Sequence, residues 1–211
     1  MSITIHLDDV LTEGQATLRL PRMTRDEFHE FCRRHPDLRI ERSAGGDLII
    51  MTPTGSETGS LNARITRFLD EWTEQDGTGV CFDSSTLFEL PSGAERSPDA
   101  SWIRRDRWEA LTPQERKQPA PICPDFVVEL MSPTDRLSDT QAKMDEYIAN
   151  GVRLGWLINP EERQVHVYRP GEPVQILPDP THVSADPVLP GFTLDLRRIF
   201  RLVSEPGREN A

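Results

Sequence analysis

The sequence lacks the features that would place it in a membrane or outside the cell. No run approaches the roughly 18 apolar residues that a membrane-spanning helix needs. The opening segment MSITIHLDDV has neither the basic start nor the apolar core of a signal peptide. Cysteine occurs only at Cys32, Cys81 and Cys123, an odd number with wide spacing that favours reduced thiols over disulfides or a zinc site. We therefore expect a cytoplasmic protein with no membrane association.

Positive charge is also scarce, and lysine most of all. The 211 residues carry a net charge of −11, and Lys117 and Lys143 are the only lysines. A chain without excess positive charge is a poor non-specific ligand for polyanions. Such a chain can still be a nuclease if its acidic residues gather around a divalent cation. The five histidines show no metal-ligand spacing, so carboxylates are the candidate ligands.

A short apolar strand that carries a carboxylate stands out at positions 124–133, PDFVVELMSP. Its β-branched residues between two prolines are typical of a strand buried on both faces. Side chains alternate along a strand, so Asp125, Val127 and Glu129 share one face. Unless Glu129 reaches solvent at the strand end, its burial has to be compensated by a cation, a metal ion or a raised pKa.

Helical and strand-like patterns alternate along the chain and indicate an α/β protein. A capping box at 24–27 predicts a first helix, and two apolar runs around Gly45-Gly46 predict a hairpin. A second helix carries an apolar stripe formed by Leu61, Ile65, Phe68, Leu69 and Trp72. The strand–helix–strand unit at 126–158 predicts a parallel strand pair with a right-handed crossover.

The sum of these elements is a mixed-sheet α/β domain with helices on the faces and flanking hairpins. We expect this domain to span 21–200, preceded by an N-terminal arm or edge strand at 1–20. A flexible C-terminal tail is expected at 201–211. Within the domain, the segment 97–103 is expected to form a strand antiparallel to residues 86–90.

Four polar side chains could converge in such a fold. Asp99 opens one strand and Glu129 closes another, while Lys143 lies in the second turn of the next helix and Glu41 lies on the early hairpin. Two carboxylates from neighbouring strands favour a shared proton or a bound cation. Ligation by oxygen alone selects a hard ion such as Mg²⁺ or Mn²⁺. With a lysine beside it, such a site is suited to phosphodiester hydrolysis.

Two other interpretations of the same residues remain open at this point. Lys143 could pair with Asp139 on a solvated helix face, since the two are four residues apart. A pair of carboxylates is also the machinery of glycosidases. That chemistry gives the lysine no role, and the sequence offers few aromatic residues to stack against sugars.

Six segments, taken in order, match the pattern of a known family. They are LRIER at 38–42, MTPTG at 51–55, RSPDASWI at 96–103, PDFVVE at 124–129, Lys143-Met144-x-x-Tyr147-x-x-x-Gly151-Val152, and WLINP at 156–160. In their order and spacing the chain resembles the Uma-two family of restriction-endonuclease-like proteins, a branch of the PD-(D/E)xK nuclease superfamily. The likeness runs from Arg39 to about Tyr168.

This resemblance implies a restriction-endonuclease-like αβββαβ core, often dimeric, with Asp99 and Glu129 as metal ligands. The superfamily lysine usually lies two residues after the glutamate, where this chain has Met131. The resemblance therefore implies that Lys143, on the next helix, takes its place. It also implies Glu41 as an additional acidic residue, and Glu57 is the weaker rival for that role.

We thus expect a cytoplasmic endonuclease, dependent on Mg²⁺ or Mn²⁺, that cuts DNA as a homodimer. Its catalytic residues would be Asp99, Glu129, Lys143 and Glu41. The alternative is a non-catalytic interaction or regulatory module that has kept the nuclease fold. The acidic balance of the chain favours this alternative, and so does the scatter of its arginines.

Overall fold

The chain forms two main β-sheets with helices packed around them, as seen in a computed structural model that describes residues 17–18, 23–51 and 53–200. Its first elements are β1 (Thr17–Leu18), α1 (Arg25–Arg34), β2 (Arg39–Arg42), β3 (Leu48–Met51), α2 (Ser56–Asp76), β4 (Gly79–Asp83), β5 (Phe88–Glu89), β6 (Glu95–Arg96) and β7 (Ala100–Arg104). They are followed by α3 (Arg105–Glu109), a 3₁₀ turn (Glu115–Lys117), β8 (Phe126–Leu130), α4 (Leu137–Ala149), β9 (Leu154–Asn159), β10 (Gln164–Tyr168), β11 (Gln175–Pro178), β12 (His182–Ser184), β13 (Thr193–Asp195) and α5 (Arg197–Phe200).

Two expectations concern the ends of the chain, an N-terminal arm and a C-terminal tail. Apart from β1, which pairs with β3, the arm expected at 1–20 lies outside the described residues. The tail expected at 201–211 lies outside them entirely. No helix in the described part of the chain combines the length and the apolar character needed to cross a membrane.

The central sheet confirms the predicted mixed-sheet α/β architecture. Its six strands run in the order β11-β10-β9-β8-β7-β4. Strands β8 and β9 are parallel, and every other neighbouring pair in this sheet is antiparallel. Helix α4 makes the crossover between the two parallel strands. The succession α2, β4, β7, β8, α4, β9 is the αβββαβ core that the family resemblance implies.

Side chains alternate along β8, so its two faces pack against different helices. All five residues of β8 are buried. Phe126, Val128 and Leu130 pack in the cluster that also contains the apolar stripe of α2, whereas Val127 packs in the cluster that contains Met144 and Tyr147 of α4. Each such buried side chain contributes about 1.5–3 kcal/mol. Glu129 has the parity of Val127, so its side chain is directed toward α4.

The smaller sheet has the order β1-β3-β2-β6-β5 and corrects one prediction. The segment 97–103 does not pair with 86–90. Instead β5 pairs with β6, and β7 pairs with β4 and β8 in the central sheet. The chain changes sheets at Ser97-Pro98, because Pro98 has no N–H with which to continue a ladder. Asp99 therefore lies at the junction of the two sheets.

A tight contact in the central sheet gives a stability prediction. A Cβ atom at Gly79 would lie 2.0 Å from Cε2 of Trp102, a side chain that is only 2% exposed. A Cβ atom at Gly155 would lie 2.4 Å from Cε of Met144, the flexible end of its side chain. We expect Gly79→Ala to lower the free energy of unfolding by about 2–3 kcal/mol, and Gly155→Ala by about 1 kcal/mol or less. Thermal denaturation of the two variants measures the difference, and equal midpoints would contradict the packing argument.

Candidate active site

The side chains of the predicted residues meet where the two sheets join. Glu41 comes from β2 of the smaller sheet, Glu129 from β8 and Lys143 from the second turn of α4. The ammonium of Lys143 lies 2.9 Å from Oε1 of Glu129 and 3.0 Å from Oε1 of Glu41. Asp99 is hydrogen-bonded to the end of β8: its Oδ2 accepts a hydrogen bond of 2.8 Å from the backbone N–H of Leu130. Four side chains from four segments of the chain thus share one charged cluster.

Glu129 is a buried carboxylate whose charged form is disfavoured by its surroundings. It is 7% exposed, and its Oε1 accepts a hydrogen bond of 2.9 Å from the hydroxyl of the buried Tyr147 as well as the contact from Lys143. Among the described residues, both its hydrogen bond and its shortest ion-pair contact are made through Oε1. Burial raises the pKa of Glu129 to about 7, against the effect of Lys143 and with reinforcement from the charges of Asp99 and Glu41.

Glu41 has the opposite character. It is 2% exposed, but its Oε1 accepts from the backbone N–H of Ser97 at 2.9 Å, and its Oε2 pairs with Nη1 of Arg96 at 3.1 Å. Burial acts to raise the pKa of Glu41, and the neighbouring Lys143 and Arg96 overcome that effect, so the net pKa is lowered. Arg96 is held in turn by Glu146, with Nε 2.5 Å from Oε2. Glu41 is therefore a fixed negative charge against which Lys143 rests.

These contacts keep Lys143 protonated. Burial acts to lower its pKa, but Glu129 and Glu41 raise it well above the ordinary value. The alternative pairing of Lys143 with Asp139 does not form: Asp139 is exposed, and the lysine points to the two buried glutamates. Glu57, the rival acid, is exposed on the first turn of α2, and in the described part of the chain it makes no contact with this cluster.

Asp99 is half-buried and has a raised pKa, because burial outweighs the hydrogen bond from Leu130 N and the charge of Lys143. Its Oδ1 accepts a hydrogen bond of 3.0 Å from Nδ2 of Asn62, on α2. Asn62, Tyr147 and Arg96 also belong to the site, and none of them was predicted from the sequence. Tyr147 could have been found, because it lies four residues after Lys143 and so on the same face of α4.

The residues present fit a hard divalent cation. The acidic groups of the site outnumber the basic ones. The acids are Glu41, Asp99, Glu129 and Glu146, and the bases are Arg96, Lys143 and Arg39. The charge of Arg39 acts on Asp99. Within residues 23–51 and 53–200, no three His, Cys, Asp or Glu side chains form a ready metal-binding cluster. Mg²⁺ does not require one, since it is commonly held by one or two carboxylates together with water and phosphate oxygens. Asp99 and Glu129 are the two carboxylates that could hold it.

Comparison with known proteins bears on the family and the fold of this chain. A family model, Uma2, described as "Putative restriction endonuclease", matches residues 25–197. The crystal structure of a "putative nuclease belonging to DUF820" from Anabaena variabilis is 20% identical in sequence. The alignment covers 85% of this chain and 98% of that chain, with a TM-score of 0.70, and at this identity the likeness shows the fold alone. None of the curated proteins matches the chain.

Proposed function

Since the chain belongs to the Uma2 family of restriction-endonuclease-like proteins, we propose that it is a metal-dependent endonuclease that hydrolyses phosphodiester bonds in DNA. One observation carries this proposal. A protonated lysine lies within 3.0 Å of two buried glutamates, and the half-buried Asp99 lies beside one of them with a raised pKa. A purely structural ion pair would not need, beside Glu41, two more carboxylates whose pKa values are raised by burial.

Asp99 and Glu129 would hold the ion, which is Mg²⁺ or Mn²⁺ in this proposal. When bound, such an ion polarises a phosphate oxygen and lowers the pKa of a nearby water. For Glu129, Oε2 would be the ligand atom, since Oε1 already contacts Tyr147 and Lys143. Binding of the ion would also remove the unfavourable interaction between the negative charges of Glu129 and Asp99.

Lys143 would act through its fixed positive charge. Because its pKa is raised, it is a poor proton acceptor at neutral pH. It is placed instead to stabilise negative charge that develops on the phosphoryl oxygens. Glu41 would position it, since the Glu41–Arg96–Glu146 chain of ion pairs ties the ammonium to both the smaller sheet and α4.

The test is divalent-ion binding and plasmid cleavage by the parent protein. We expect Mn²⁺ and Mg²⁺ to bind in titration calorimetry, and supercoiled DNA to be nicked or cut with either ion and not in EDTA. Cleavage is measured over a range of salt concentrations, because salt weakens contacts of arginine and lysine with phosphate but also screens the repulsion between DNA and a chain of charge −11. If neither ion binds at millimolar concentration and the DNA stays intact, the non-catalytic module is the correct interpretation.

Two further expectations accompany the proposal. We also propose a homodimer, as the family resemblance implies, which analytical ultracentrifugation would detect. The cytoplasmic location inferred from the three cysteines stays a prediction, and it is consistent with the free thiols of all three residues.

A further inference from the structure

Asn62 occupies an unusual position at the edge of the candidate active site. It lies in the second turn of α2, next to the buried Leu61 and three residues before the buried Ile65. Its Nδ2 donates a hydrogen bond of 3.0 Å to Oδ1 of Asp99. Its Oδ1, in contrast, is buried and has no hydrogen-bond partner among the described residues.

A buried amide oxygen without a donor is unfavourable, and almost all such groups in proteins find a partner. Reversing the amide would not help, because it would place the Asn62 oxygen against the Asp99 carboxylate, acceptor to acceptor. The nearby backbone donor, Leu130 N, is already used by Asp99. Within the part of the chain that the structure describes, this oxygen is therefore left for a donor that the site binds.

We propose that Asn62 is a positioning residue of the metal site. Its Nδ2–H holds the Asp99 carboxylate in one orientation, and its Oδ1 accepts a hydrogen bond from a water molecule in the hydration shell of the ion. The inference rests on the proposed function, because it requires that Asp99 bind a divalent ion. Amide and carboxylate oxygens that hold such waters are a regular part of metal sites, and their loss typically weakens metal binding by about 10- to 100-fold.

A purely structural role for Asn62 accounts for less of what is seen. An asparagine that only joins α2 to the segment before β7 would satisfy its donor and leave its oxygen in solvent, where water is abundant. Here the oxygen is enclosed on the side of the helix that faces the acidic cluster. The donor explains the orientation of Asp99, and the enclosed oxygen explains why an amide, with an acceptor as well as a donor, stands at this position.

The experiment compares Mn²⁺ binding by the parent protein, Asn62→Ala and Asn62→Leu. We expect the dissociation constant, measured by titration calorimetry on folded protein, to rise by about 10- to 100-fold in both variants. Thr66→Val is the matched control, because Thr66 lies one turn further along α2 and the hydrogen bonds of Asp99 among the described residues go to Asn62 and Leu130. The control should bind Mn²⁺ as the parent does. Two variants are used so that one that folds poorly does not decide the outcome.

A second measurement, on metal-free protein, tests whether Asn62 and Asp99 are coupled, and the binding data separate this inference from the proposed function. Stability is measured for Asn62→Ala, for Asp99→Asn and for the double variant, and we expect non-additive effects because the two side chains are bonded. If the parent binds Mn²⁺ and the Asn62 variants bind it equally well, the inference is overturned while the proposed function stands. If the parent binds no ion, the proposed function fails and the inference falls with it, whatever the coupling between Asn62 and Asp99.

Discussion

The Lys143→Met substitution is expected to slow DNA cleavage by about 10²- to 10³-fold, the usual effect of removing one group that stabilises a developing anion. It should not weaken Mn²⁺ binding. The ammonium lies 2.9 Å from Oε1 of Glu129 and repels any cation bound beside that carboxylate. Its removal therefore leaves the affinity for Mn²⁺ unchanged or increases it. Loss of rate with retained binding identifies a group that acts on the reaction and not on the ion.

The same substitution should also destabilise the metal-free protein. Lys143 is the cation that Glu129 and Glu41 share, and removing one partner of a buried ion pair typically costs about 3–5 kcal/mol. Glu129 can relieve part of this cost by taking up a proton, because its pKa is already about 7. Saturating Mn²⁺ should restore much of the lost stability, since the ion replaces the missing positive charge.

Lys117→Met is the control for this prediction. Lys117 is the only other lysine and is exposed in the 3₁₀ turn, so its removal should change neither the rate, the Mn²⁺ affinity nor the thermal midpoint. Cleavage rates are compared at saturating Mn²⁺, with stability followed by chemical denaturation in EDTA. Parent-like cleavage by Lys143→Met would show that the lysine is only a structural counter-ion, and the assigned role would have to be abandoned.

The sequence predicted those parts of the molecule that depend on local patterns. The apolar run around Val128 predicts a buried strand, and the helix that carries Lys143 follows it closely. The parallel crossover could therefore be predicted from the sequence. The position of Lys143 relative to Glu129 followed from the same proximity. By contrast, the pairing of 97–103 was wrong, because alternation does not say which neighbour a strand chooses when Pro98 interrupts it.

Contacts between distant segments were the hardest to foresee. Nothing local in LRIER indicates that Glu41 will meet the ammonium of Lys143, about a hundred positions later, because that contact depends on how the two sheets join. Glu41 was nevertheless expected in the site, because the family resemblance implies it, whereas Asn62 was missed. In the sequence it stands on the flank of an apolar stripe, where a polar residue is ordinary, and only its enclosed Oδ1 marks it out.

The glutamates of the site differ in their contacts and in the direction of their pKa shifts. This difference indicates which of them is kept for function at a cost in stability. Glu41 is satisfied by Ser97, Arg96 and Lys143 and has a lowered pKa, as a structural carboxylate does. Glu129 is buried, its hydrogen bond and its ion pair with Lys143 both meet Oε1, and its pKa is raised. A carboxylate that the fold leaves in this state stabilises the protein less than an uncharged residue would. Such a cost is typical of positions that serve a ligand.

The Glu129→Gln substitution should therefore abolish function and stabilise the fold. The amide keeps the shape of the side chain but loses the charge, so we expect at least about a 10²-fold loss of Mn²⁺ affinity and a comparable or larger loss of cleavage rate. In EDTA at pH 8, the variant should unfold at a higher denaturant concentration than the parent. The pKa of about 7, in place of the ordinary 4.5, corresponds to about 3 kcal/mol as an upper value for the difference.

The pH dependence gives the sign of this effect. Below pH 4.5, Glu129 is protonated in both the folded and the unfolded chain, and its ionisation contributes nothing to the difference. Between pH 4.5 and about 7, the unfolded chain loses the proton first, so the parent loses stability as the pH rises, and the loss is complete above the folded pKa. Glu129→Gln lacks this loss, so its advantage should appear across that window and be largest at pH 8.

Asp139→Asn serves as the matched control, since Asp139 is an exposed acid of α4 whose neutralisation should affect neither Mn²⁺ binding nor the pH profile of stability. The informative comparison is between the signs of the two effects on Glu129→Gln. If the variant is less stable than the parent at pH 8 and still binds Mn²⁺, then Glu129 is a stabilising partner of Lys143 and not a metal ligand. A gain in stability together with a loss of the ion is the result expected if the fold keeps this carboxylate buried for the sake of catalysis.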